Sequence, residues 1–301
     1  MVMVVGVPQD DVSIALSDFI AILKNRKYDM CDRASLFEVA THFRHLSNNK
    51  TFLVDVILNE LCSDGPFQAK NVYGPTVFMV HTCEDYFIRA NLWRPISELE
   101  RSIEGFRYDI CHDHNFDILT VGYFGPGYRA RTYSYDASVI SGVLGERIAI
   151  KNEGEIQLTE GKMMLYKAKR DIHIQLPPKS LSISLNFIPR NKWISQPQYQ
   201  FDEDSGVIVR YLHSLGNELT VRMAGVLGDD RAFNYLDQIR RTHPSPHLRA
   251  LAAVSQARLR VKDSDSLQAS LSPTRSSVEK HIFEIESREP GASLREVGAG
   301  Y

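Results

Sequence analysis

Cysteine is scarce in this sequence: four in 301 residues, at Cys31, Cys62, Cys83 and Cys111. No two share a Cys-x-x-Cys spacing, which excludes a zinc ribbon, and they are too scattered for a disulfide framework. Free thiols in a reducing compartment, and so a cytoplasmic protein, are the expectation. Long apolar runs are missing too; none reaches the roughly 18–20 residues that a membrane helix requires. The opening MVMVVGVPQDD lacks the basic segment and apolar core of a secretory signal. Neither charge sign dominates. Thirty-five basic and 37 acidic side chains leave a net charge of −2, so no global field draws the chain to nucleic acid. No Gly-x-Ser-x-Gly elbow and no dinucleotide fingerprint is present. Gly125-Pro126-Gly127 reads as a turn, because the Lys-Ser/Thr and helix of a phosphate cradle do not follow it.

What the sequence does hold is an ordinary globular balance, 43% apolar and 24% charged, which excludes wholesale disorder. Residues 1–70 read as a helical segment. Apolar positions recur near the helical period in DDVSIALSDFIAILKNRK, ASLFEVATHFRHL and TFLVDVILNELC, with Asp32 or Ser35 as a cap for the second. His42 and His45 lie three apart there and read as a solvated face. From 71 to 200 the pattern is strand-like, in TVFMVHT, DYFIRANLW, ICHDHNFDILTVGYF, YRARTYSYD, RIAIKN, EIQLT, GKMMLYKA, DIHIQL and LSISLNFIP. Short strands with Gly/Pro punctuation predict an antiparallel barrel or sandwich. Helical periodicity returns over 201–260, from GVIVRYLHSLGN onward. Pro244 and Pro246 keep His243 and His247 from aligning on one helix. Residues 261–301 are polar, carry eight serines, and read as a flexible tail with one apolar patch, HIFEIE.

The segment YDICHDHNFDILTVGYFGPGY carries the chemistry. Residues two apart on a strand share a face, so His112 and His114 project together, about 7 Å apart along the backbone. Phe116, Ile118 and Thr120 follow on that face. Two imidazoles on an inner barrel wall make half of a transition-metal site. His173, in DIHIQL, is the candidate third ligand, with His81 of FMVHTCED in reserve. The plain alternative is that inward histidines hydrogen-bond core hydroxyls.

The same alternation selects a cavity wall. Phe87, Arg89, Asn91 and Trp93 share a face, with Arg89 either a carboxylate fork or simply turned to water. Gln175 shares the face of His173 and is a candidate for orienting a ligand. Tyr133 and Tyr135 are candidate phenols for bound oxygen or substrate. Asp113 and Asp117 flank the histidines as acceptors if the strand bends. Cys111 reads as a buried apolar thiol.

The pattern Gly105…His112-x-His114…Gly122, then Gly161…His173…Asn186, resembles the two motifs of the cupin superfamily over about a quarter of the chain. The usual glutamate of the first motif is absent, and Lys167-Ala168-Lys169 stands where the second has Pro-x-Gly. Among cupins the sequence is therefore most similar to three-histidine types such as the thiol dioxygenases. The resemblance implies a double-stranded β-barrel (jelly roll) between N- and C-terminal α-helices, with a metal held by His112, His114 and His173. It implies Fe(II), with Zn, Ni or Cu as alternatives, and an oxygenase or dioxygenase acting on O₂ and a small polar metabolite, amino acid or thiol. A Zn or Ni isomerase or lyase, and a non-catalytic metabolite-binding or regulatory module, are the other readings. A homodimer is compatible with the family; nucleic acid and membrane are not expected partners.

Overall fold

The computed structural model describes residues 2–26, 28–29, 32–69, 71–96, 108–190, 196–212, 216–243, 245–260 and Ile282. The chain divides into two compact units: Met1–Tyr135 with Ile150–Lys192, and Asp136–Ala149 with Trp193–Tyr301.

The first unit is built on antiparallel strands: β1 (Met3–Val4), β2 (Val77–Thr82), β3 (Tyr86–Trp93), β4 (Ile118–Phe124), β5 (Arg129–Ser134), β6 (Lys151–Gln157), β7 (Met163–Tyr166), β8 (Asp171–Leu176) and β9 (Ser182–Pro189). Six of them form one sheet in the order β1-β7-β4-β9-β3-β2, and three form a second in the order β6-β5-β8. The predicted strand-rich class is present as these two sheets. Most of the predicted strands hold their places. ICHDHNFDILTVGYF does not run as one strand: only Ile118–Phe124 is regular, and the histidine segment before it is irregular apart from one bridge. RIAIKN and EIQLT are likewise not two separate strands, because β6 spans Lys151–Gln157.

Alternation divides the apolar residues of the six-stranded sheet between two cores. On one face, Ile88, Ala90, Leu119, Val121, Leu185 and Phe187 pack against three helices, α1 (Leu16–Asn25), α2 (Arg33–Asn48) and α3 (Phe52–Leu61). In α2, Leu36, Val39, Ala40, Phe43 and Leu46 are buried, the stripe that a 3.6-residue period lays along one side. Asp32 caps it, its side chain accepting from the Ser35 backbone at 2.8 Å, worth about 1 kcal/mol. The first helix begins at Leu16 rather than near Asp10; the residues before it run along α2, where the Ile14 N–H donates to the His45 carbonyl.

On the other face, Phe87, Trp93, Ile118, Met164, Tyr166 and Ile188 share a core with Tyr128, Ala130 and Leu158 from around the three-stranded sheet. The two sheets therefore face one another across this second core. The turn at Gly127 makes the approach possible. Its φ is +79°, and an added Cβ would lie 1.7 Å from the Leu158 carbonyl oxygen.

The second unit pairs β10 (Tyr199–Phe201) with β11 (Ile208–Tyr211) and continues in helices α4 (Gly216–Leu227), α5 (Asp230–Thr242) and α6 (Pro246–Arg260). The helical expectation for GVIVRY is corrected here. Its β-branched residues favour an extended backbone, and Tyr199–Phe201 supplies a partner strand. Val221, Leu236, Leu248 and Leu251 form the helical core, with Ile282 of HIFEIE buried among them. The rest of the predicted tail lies outside the described residues.

Candidate metal centre

β8 brings the third histidine to the first two. The backbones of His112 and His173 bond reciprocally, at 3.1 and 2.9 Å, so their side chains leave on one side. His114, two residues on, follows the same parity. His173 Nε2 lies 3.0 Å from His114 Nε2 and 3.2 Å from His112 Nε2, and all three rings are buried. One nitrogen from each ring lies within 4.8 Å of the others. The reserve residue, His81, is elsewhere. It pairs with Ile88, whose side chain packs under the helices, and its ring lies against Tyr86, 5.7 Å between centroids.

The protons on these rings bear on what they can hold. His112 Nδ1 lies 2.9 Å from the Ile110 carbonyl, which only accepts, so that nitrogen carries a hydrogen, and Nε2 presents a lone pair whenever the ring is neutral. Burial, then the charges of His112 and Arg89, push the pKa of His173 well below the ordinary histidine value, so its ring stays neutral. A single shared cation would satisfy one lone pair from each of the three rings. The spacings fit such an ion. With metal–nitrogen bonds of about 2.0–2.1 Å, separations of 3.0 and 3.2 Å subtend angles of about 90–105°. A tetrahedral ion would set the same atoms about 3.3–3.4 Å apart.

Around the rings the wall is aromatic and cationic. Phe116 stacks on His114 with centroids 5.2 Å apart, and Tyr166 meets His173 edge-on at 4.6 Å. Tyr166 and Tyr128 are fully enclosed phenols, and burial raises the pKa of both, that of Tyr128 to about 12. Tyr128 also interacts with Tyr166 and Gln175 and feels the charge of Arg89. The sequence offered no signal for Tyr166, because a tyrosine closing an apolar strand reads as packing.

Arg89 is 8% exposed, not turned to water. Its guanidinium lies 4.6 Å from the Tyr73 ring centre and 6.0 Å from that of Phe116. Arg89 pairs with Asn186, and Asn186 with Thr120, so a guanidinium, an amide and a hydroxyl stand in one row across three strands of the inner face. Asn91 accepts from the Asn186 amide at 3.0 Å. Gln175 pairs with Ala130, on the His173 side of its own sheet.

The two candidate phenols are placed differently from the expectation. Tyr133 pairs with Ile172, one residue from His173, so it projects from the opposite face. Tyr135 donates its hydroxyl to Asp113 Oδ2 at 2.7 Å. Asp113 and Asp117 do face away from the rings, and both are engaged by lysines: Asp113 by Lys169 at 2.8 Å, and Asp117 by Lys167 at 3.0 Å. No carboxylate joins the three-histidine cluster among the described residues.

No protein-family profile and no curated protein matches the chain. Among solved structures, a hydroquinone 1,2-dioxygenase in complex with Cd²⁺ and 4-hydroxybenzonitrile superposes with a TM-score of 0.28 at 15% identity, covering 41% of this chain and 69% of that one. The hydroquinone 1,2-dioxygenase of Sphingomonas sp. TTNP3 with 4-hydroxybenzoate bound gives 0.25 at 14% identity, covering 42% and 72%. Overlap this slight assigns neither a fold nor an activity.

Proposed function

We propose that this chain is a mononuclear metal-dependent dioxygenase of the three-histidine cupin type, acting on a small anionic metabolite. The observation that carries the reading is the convergence of His112, His114 and His173 Nε2, buried together within reach of one ion. The cupin-like pattern of the sequence joins it. His112, His114 and His173 would hold the ion, and Fe(II) would supply reduction and activation of O₂.

The chain's own contribution is placement and charge. Imidazoles that bind a metal are neutral and would leave the charge of a divalent ion uncompensated, and Arg89 adds another positive charge nearby. The interior therefore favours an anion. In this reading Arg89 receives a carboxylate, while Asn91 and Gln175 orient the remaining polar groups. Phe116, Tyr166 and Trp93 exclude water from the inner face.

Metal analysis of protein purified without oxygen tests the reading, followed by oxygen uptake with amino acids and thiols after loading with Fe(II). One ion per chain, and uptake lost in His112→Ala/His114→Ala, is the expected result. Full iron content in that double variant would overturn it.

A further inference from the structure

Lys169, within the charged run KAKRD, is buried. Its Nζ donates to Asp113 Oδ2 at 2.8 Å, and its backbone N–H donates to the His114 carbonyl at 2.9 Å. Side chain and main chain of one residue thus grip the His112-Asp113-His114 segment at two points. Tyr135 closes the same carboxylate from the other side. Lys169 adopts a left-handed backbone, φ +54°, which a non-glycine residue holds only where the surroundings impose it.

A second clasp lies beside the first. Asp117 accepts from the Ala168 backbone at 2.7 Å and from Lys167 Nζ at 3.0 Å. Asp171 accepts from the Lys167 backbone at 2.8 Å, which shapes the turn leading into His173. The irregular histidine segment, without a regular ladder of its own, is therefore fastened to the turn that sets β8.

We propose that Lys169 is a positioning residue for the three-histidine centre, fixing His112 and His114 against His173 through Asp113 and thereby raising metal affinity. The proposal rests on the metal-centre reading above. A buried ion pair adds little net stability over an apolar pair of the same volume, so its use here is better matched to fixing geometry than to holding the fold. Residues behind metal ligands commonly act in this way.

Co(II) titration of the full-length protein, followed by visible absorption, is the test. Thermal unfolding of each metal-free protein is measured alongside. Lys169→Met/Asp113→Asn removes both charges and leaves neither ion orphaned. Its Co(II) affinity should fall about 10–100-fold, with an altered visible band and a melting temperature near wild type. Tyr135→Phe keeps the ion pair and drops one hydrogen bond, and should weaken Co(II) about two- to fivefold. Unchanged affinity and spectrum in the double variant would overturn the proposal, as would unchanged affinity in Tyr135→Phe if the double variant unfolds early. Wild-type protein that binds no Co(II), or binding that survives His112→Ala/His114→Ala, would instead overturn the metal centre itself.

Discussion

His112 and His173 are joined twice through their backbones, each N–H donating to the other's carbonyl, although 61 residues separate them in the chain. The pairing makes their side chains neighbours before any ion is considered. It also makes the centre a property of β8 and the histidine segment together.

Loss of one ring should therefore be felt more strongly than loss of a supporting residue. His173→Ala is expected to lower metal affinity by more than the roughly 10–100-fold typical of groups behind the ligands. Isothermal titration with Co(II) checks this, and affinity within a few-fold of wild type would count against the assignment.

Acidity provides a second check. Burial, His112 and Arg89 hold the pKa of His173 well below its ordinary value. Below about 6.5 the unfolded chain takes up a proton that the folded chain refuses. Stability of the metal-free protein should therefore be full above about pH 6.5 and fall as pH drops beneath it, by up to about 1.4 kcal/mol per pH unit. Urea unfolding across that range measures the slope, and His173→Gln should flatten it. An identical slope in the variant would refute the attribution.

Arg89 is predicted to select charge. Arg89→Met should lose about 1.5–3 kcal/mol of binding to a small carboxylate, the usual worth of a hydrogen bond to a charged group. Arg89→Lys should recover only part of this, because a single ammonium cannot offer a planar fork. Carboxylate-induced changes in the Co(II) spectrum report the affinities; equal affinity in wild type and Arg89→Met would rule the role out.

Gly127→Ala should destabilise the fold by roughly 1–3 kcal/mol from backbone conformation alone, with more from the contact on Leu158. The melting temperature measures it. A variant that melts with the wild type would show that the turn relaxes at no expense.

Alternation was enough to find much of the centre from sequence. A period of two puts His112 beside His114 and Gln175 on the face of His173, while it leaves Arg89 open between a cavity wall and water; its burial decides that point. The same alternation continues through Phe116, Ile118 and Thr120, which lie on the inner side, although Asp113 and Asp117 fasten the irregular histidine segment to the turn at 167–169. Lys169 was illegible: a lysine between Ala168 and Arg170 reads as solvated until the partner carboxylate, 56 positions away, is known. Tyr133 and Tyr135 obey alternation too, and it turns them away from His173. GVIVRY has apolar residues that suit either period, and only the pairing of β10 with β11 decides between them.

The six-stranded sheet separates two kinds of selection pressure. Its helix-covered side anchors the architecture through Phe43, Leu119 and Phe187, while its opposite side carries Arg89, Thr120 and Asn186 in one row. Substitutions in that polar row leave the apolar anchoring side untouched, so the polar lining can be varied while the architecture persists.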